Sequence, residues 1–271
     1  MYIIDTHAHL CDSSFDGDLE EVLDRAAGAG VCTVVAVGEN LSDAKKNLEL
    51  SETWPMIRPS AGLYPANLNQ NHAEEIAAWI RENRSRLQAI GEVGLDFWIA
   101  KTPHDRELQA DIFSMFVDLS IELDLPLNVH SRSAGRHVID ILLSRGAKRV
   151  QLHAFDGKFG TALSAVEAGF LFSIPPSVVR SRQKQKLVRN LPLSCLMVES
   201  DSPVLGPEAG GRNEPANCRM AIETIAGLKE KTVERVAEEL FKNSCRFYGK
   251  DEQLTVFSVN NKHESEISSQ C

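Results

Sequence analysis

The chain has 271 residues, 43% of them hydrophobic, enough for one core of roughly 250 residues with a short extension. Its 38 acidic residues outnumber 29 basic ones, giving a formal net charge of −9 and a pI near 5.4. That balance excludes the broadly basic surface that nonspecific nucleic-acid binding requires. The opening apolar run is cut by Asp5, and no stretch approaches the roughly 18 apolar residues of a membrane span, so an intracellular protein without membrane contact is expected, cytoplasmic or nuclear.

Read in chain order, strand-like and helical patterns alternate. A first strand at residues 2–5 is followed by a helix over 16–29, with Leu19, Val22, Leu23 and Ala26 at helical spacing and Gly30 as its stop. The spacing next predicts a strand at 32–37, a helix at 42–53 capped by Ser42, a strand at 57–62 and a helix at 73–84. Strands at 87–92 and 125–130 flank a long helix over 105–123, whose Leu108, Ile112, Met115, Phe116 and Leu119 share one face. The rhythm continues with helices at 135–144, 160–167 and 180–190, and strands at 149–153, 170–174 and 196–199. Helices at 217–228 and 233–247 complete the pattern. Residues 1–248 therefore read as one domain, and the polar, aperiodic residues 249–271 as a disordered tail. Six cysteines without CxxC spacing (Cys11, Cys32, Cys195, Cys218, Cys245 and Cys271) are expected to be free thiols.

Eight strands alternating with helices predict a (β/α)8 TIM barrel, the architecture that gathers successive strand C-termini around one point. His7, His9, Glu92, His130, His153 and Asp201 all fall at or just after the ends of predicted strands, and all are side chains that bind divalent metals. His7 and His9 are two residues apart, so in extended backbone their imidazoles project to the same side. Glu92 can bridge two ions with its two oxygens, and the neighbouring glycines admit close approach. Asp96 suits a role orienting the loop or a ligand histidine. Asp201 can hold a metal while accepting a proton. The motif order thus predicts a metal centre. His72, His104, His137 and His263 fall elsewhere and read as solvated.

The segments D-T-H-A-H-L, G-E-V-G-L-D, L-P-L-N-V-H-S-R, H-A-F-D-G and E-S-D-S-P, in this order, resemble the TatD family of metal-dependent deoxyribonucleases in the amidohydrolase superfamily. F-S-I-P-P-S, Q-K-Q-K-L-V and R-N-E-P further resemble an animal subgroup of that family. The resemblance implies a barrel with two divalent ions (zinc, manganese or magnesium) that hydrolyses DNA phosphodiester bonds, typically from the 3′ end. It also implies that His7, His9 and Asp201 hold one ion, that His130 and His153 hold the other, and that Glu92 bridges them. Two departures stand out: Tyr64 occupies a position commonly histidine, and Phe116 one commonly glutamine.

Paired ions would activate water, hold the scissile phosphate and stabilise the leaving 3′ oxygen, with Asp201 and Glu92 as the catalytic carboxylates and Asp201 the candidate base. Arg132, after His130, is a candidate phosphate contact. Arg180, Arg182, Lys184, Lys186 and Arg189 form either a DNA-backbone strip or a solvated helical face, and Arg212 either approaches the mouth or serves its loop. One alternative is an amidohydrolase acting on a cyclic amide or ester. Many such enzymes place a carbamylated lysine after the fourth strand, whereas no lysine lies between Leu87 and Ala100 here. A second is a metal-stabilised scaffold, which the open coordination of such a ligand set disfavours. Nothing in the sequence calls for an obligate protein partner.

Overall fold

The computed structural model describes residues 1–249. Eight parallel strands, β1 (Ile3–Ala8), β2 (Val31–Ala36), β3 (Ile57–Ala61), β4 (Ala89–Gly94), β5 (Leu127–His130), β6 (Val150–His153), β7 (Leu171–Ile174) and β8 (Leu196–Val198), pair in sequence order. Around them run α1 (Leu19–Gly28), α2 (Leu41–Thr53), α3 (Gln70–Glu82), α4 (Pro103–Leu123), α5 (Gly135–Ser144), α6 (Phe159–Glu167), α7 (Arg182–Asn190), α8 (Cys218–Lys229) and α9 (Val233–Tyr248). β8 meets β1 through the hydrogen bond from the Thr6 hydroxyl to the Val198 carbonyl (2.9 Å). Just beyond it, the Asp201 amide donates to the His7 carbonyl (2.8 Å), so this is the expected TIM-type α/β barrel.

Period-two alternation sorts the strand residues. Val129, Leu152 and Phe172 are fully buried in the apolar core, while Asn128, Gln151 and Ser173 alternate with them and are equally buried. The polar set bonds within itself: Gln151 Nε2 donates to Ser173 Oγ (2.8 Å) and Thr6 Oγ1 (3.0 Å), and Tyr248 Oη donates to Gln151 Oε1 (2.5 Å). These bonds offset the desolvation of amides and hydroxyls within the barrel. The last residue of α9 thereby ties the barrel's outer layer to its centre.

Several boundaries move, for identifiable reasons. α2 is capped by Asn40, whose side chain accepts from the Asp43 amide, rather than by Ser42. α3 starts at Gln70 behind an Asn69 cap, three residues before the predicted start, because two amides bond that side chain. α7 begins at Arg182, since a tight 3-10 turn at Pro176–Val179 occupies the preceding residues. β1 and β4 run further than expected, so His7 lies within its strand rather than after it, and Glu92 lies inside its strand rather than at its end. In both strands the pairing register shifts at that point, between Asp5 and Ala8 and between Ile90 and Val93. Such irregularities re-aim side chains. Gly94 shows how closely β4 approaches β5: with φ at +149°, a Cβ there would sit 2.0 Å from the His130 carbonyl oxygen.

No helix among the described residues is long and apolar enough to cross a membrane. Cys11, Cys32, Cys195, Cys218 and Cys245 are free thiols, as expected. The predicted tail from residue 250 onward, with Cys271 and His263, lies outside the described residues.

Candidate metal centre

At the C-terminal mouth of the barrel a cavity of about 480 Å³ opens over His9, Glu92, His130, His153 and Asp201, with Arg132 and Lys184 on its wall. Two donor groups meet there. In the first, His7 Nε2 and His9 Nε2 are 3.2 Å apart, and each lies 3.5 Å from Asp201 Oδ1. In the second, Glu92 Oε1 lies 2.7 Å from His130 Nδ1 and 2.8 Å from His153 Nε2, and those nitrogens are 3.1 Å apart. Glu92 joins the groups: its Oε2 faces the first, 3.6 Å from His9 Nε2 and 3.9 Å from His7 Nε2.

The donor set fits divalent cations. Glu92 Oε2 is buried without a hydrogen-bond partner, which is costly unless a cation satisfies it. Two imidazole nitrogens 3.1–3.2 Å apart are near the spacing of about 3.3 Å that two 2.0–2.1 Å bonds make at a tetrahedral ion. Glu39, Glu92, Asp156 and Asp201 line the cavity opposite Arg132 and Lys184, and bound cations would favour an anionic substrate there.

The surrounding contacts fix which nitrogen faces the cavity. His7 Nδ1 lies 2.8 Å from Asn128 Oδ1, an acceptor, so its proton belongs there and Nε2 keeps its lone pair. His130 Nε2 lies 3.0 Å from Asp96 Oδ2, which turns Nδ1 inward. The other Asp96 oxygen accepts from the Trp98 (2.8 Å) and Ile99 (3.0 Å) amides. Asp96 therefore orients both loop and histidine, as expected of it. Tyr64 Oη donates to the same Asp96 Oδ2 (3.2 Å) and its ring packs edge-on against His130, so it buttresses the site in place of the commoner histidine.

Electrostatics follow the geometry. Burial presses His7 down to about 3, and the neighbouring imidazole of His153 adds to the effect. Burial opposes charge on His9 and His130 too, yet the carboxylates of Asp201 and Glu92 beside His9, and of Asp96 and Glu92 beside His130, push each up to about 9. Glu92 and Asp201 are held below their ordinary values because their histidine contacts outweigh burial.

The structure reassigns some basic residues. Lys184 is buried, not part of a solvated strip, and its Nζ donates to the Ala154 carbonyl (2.8 Å). The Ala154 amide in turn donates to Glu199 Oε1 (2.8 Å). Lys184 and Glu199 thus clamp a residue held at φ +43°, a conformation costing about 1 kcal/mol or more, next to His153. Arg180, Arg182, Lys186 and Arg189 remain exposed. Arg212 pairs with Asp18 and lies over the Phe15 ring, which gives it a loop-holding role. Phe116 is fully buried in α4, so its departure from the family pattern is one of packing.

Sequence reasoning passed over Asp5, Asn128 and Glu199, although a signal was present. Each stands two residues before a proposed ligand, and each is buried. Burial raises Glu199 to about 7 although the Ser173 hydroxyl bonds it.

The profile of the TatD-related DNases matches residues 4–249. The chain is 43% identical over 260 residues to deoxyribonuclease TATDN3 of Homo sapiens, covering 92% of this chain and 95% of the human one. It is 34% identical over 254 residues to the metal-dependent hydrolase YabD of Bacillus subtilis, covering 91% and 98%. The crystal structure of YJJV, a TatD homolog from Escherichia coli, superposes with a TM-score of 0.83 at 25% identity, covering 90% of this chain and 96% of that one.

Proposed function

Because the chain belongs to the family of TatD-related DNases, which are metal-dependent hydrolases, we propose that it hydrolyses DNA phosphodiester bonds with two divalent ions, working inward from the 3′ end. The observation that carries this reading is Glu92, whose two oxygens face two separate groups of imidazole and carboxylate donors. In the proposed assignment His7, His9 and Asp201 hold one ion, His130 and His153 hold the other, and Glu92 is shared. Glu199 could compete for a place beside His7 and His153, but its oxygens already accept from the Ala154 amide and the Ser173 hydroxyl.

Two divalent ions bound here supply Lewis-acid stabilisation of phosphate charge and a nucleophile near neutral pH. Asp201, ionised and directed at the first donor group, orients the attacking water and accepts its proton. Asn128 and Asp96 hold His7 and His130 in the tautomers that present a lone pair inward. Lys184 and Arg132 offer N–H donors to the phosphate oxygens from the cavity wall, and exposed Arg180 and Arg182 extend the positive charge along the DNA backbone. Four imidazoles with two carboxylates suit zinc or manganese better than magnesium.

The reading is tested by loading purified protein with zinc, manganese or magnesium and assaying end-labelled single-stranded and duplex DNA, RNA, and a panel of cyclic amides and esters. Shortening of DNA from its 3′ end is expected. Turnover of an amide or ester with DNA left intact would contradict it.

Lys184 allows a sharper check. Lys184→Met should lower kcat/KM on DNA about 10- to 100-fold, the equivalent of the roughly 1.5–3 kcal/mol of a charge-assisted hydrogen bond, with both ions retained. Lys184→Arg should recover part of the loss. If Lys184→Met sheds an ion instead, the lysine serves only to hold Ala154 beside His153.

A further inference from the structure

Trp98 is an exposed aromatic residue fastened to the metal centre. It sits in the loop after β4 with 58% of its surface open, whereas Trp54 and Trp79, the chain's other tryptophans, are half-buried. Ile99 beside it is 45% exposed. Leaving an indole in water forfeits the burial that large aromatic side chains normally obtain, so a fixed and open Trp is a feature to account for.

The loop is held firmly. Asp96, which orients His130, also accepts from the Trp98 and Ile99 amides, and the Phe97 amide donates to the Arg132 carbonyl (3.0 Å). Around the indole are two cations: the Arg132 guanidinium lies 5.0 Å from the ring centre and the Lys101 ammonium 4.9 Å. Arg132 also lines the cavity, so one side chain spans the distance from the phosphate-binding wall to the aromatic face. An aromatic plane bordered by cations, one step from a phosphate site, has the chemistry of a platform for single-stranded nucleic acid, where a base stacks and its phosphates meet the charge.

We propose that Trp98 forms a nucleobase subsite: an unpaired base flanking the scissile phosphate stacks on the indole, displacing the Lys101 ammonium, while Arg132 turns to the phosphate. The proposal rests on the DNA-hydrolase reading and deepens it. The enzyme then grips substrate through a base removed from its neighbours, so single strands and frayed 3′ ends are its preferred form. The subsite tolerates any base because every base offers a stacking face.

The test uses the zinc-loaded enzyme and oligonucleotides in which one base at a time near the 3′ end is removed, leaving the sugar-phosphate backbone. In the wild type, removal at one position should lower kcat/KM roughly 5- to 100-fold, the range of base–aromatic stacking. Trp98→Ala should abolish that positional sensitivity while cleaving the base-free substrate at the wild-type rate, and Trp98→Phe should keep most of it. Independently of turnover, dAMP should quench the tryptophan fluorescence of the wild type where deoxyribose 5-phosphate does not, and Trp98→Phe should remove the difference. If DNA is cleaved but the base-removal profile is the same in Trp98→Ala, the subsite does not exist, whereas the hydrolase reading stands. If no oligonucleotide is cleaved, both fall together.

Discussion

Glu92→Ala is expected to reduce DNA hydrolysis by more than the roughly 100-fold that losing an outer-sphere partner of a metal ligand costs, because it removes the group shared by both donor sets. Both carboxylate oxygens face imidazoles, and neither contributes to apolar packing. Metal content should fall along with activity. The isosteric Glu92→Gln separates site from fold, because the amide preserves shape while losing the charge that bridges two cations. Circular dichroism should show a folded barrel in both variants. Asp201→Ala should abolish turnover as well, since its carboxylate faces the same first donor group and in the proposed mechanism serves the attacking water. Normal turnover by a purified Glu92 or Asp201 variant would remove that residue from the mechanism.

The second large effect concerns His130 and His153, whose nitrogens meet 3.1 Å apart on the same Glu92 oxygen. Replacing either with alanine should lower occupancy from two ions toward one and cost at least 100-fold in kcat/KM, and replacing both should cost little more. That non-additivity is the signature of one shared ion. Elemental analysis checks it directly: two tightly bound ions per chain in each single variant would show that these histidines are not ligands.

Much of this centre could be read from the sequence because its parts are tied to strand ends. His130 and His153 close their strands as the apolar runs suggested. His7 and Glu92 were displaced from their expected places because backbone pairing resumes past the register shifts in β1 and β4, and periodicity alone cannot report a shift of that kind. The supporting residues were readable in principle. Asn128 obeys the two-residue period that puts it on the same side of β5 as His130, and Asp5 and Glu199 each stand two residues before His7 and Asp201. Lys184 lies at helical spacing from buried Leu187 and Val188, a pattern that places its stem on the inner face of α7. Charge suggested solvent for that lysine, but position on the helix decided otherwise. Trp98 is different: a tryptophan in a loop could face either way, and only the Asp96 contacts and the cations around the indole give it a place.

A metal titration decides whether two ions act together in the proposed site. Protein stripped by chelator is given zinc or manganese in fractions of an equivalent, while release of the 3′-terminal nucleotide from end-labelled DNA is followed. Hydrolysis should stay low through the first equivalent, rise steeply toward the second and level off at two ions per chain. A full rate at one equivalent, or DNA left intact with two ions bound, would contradict it.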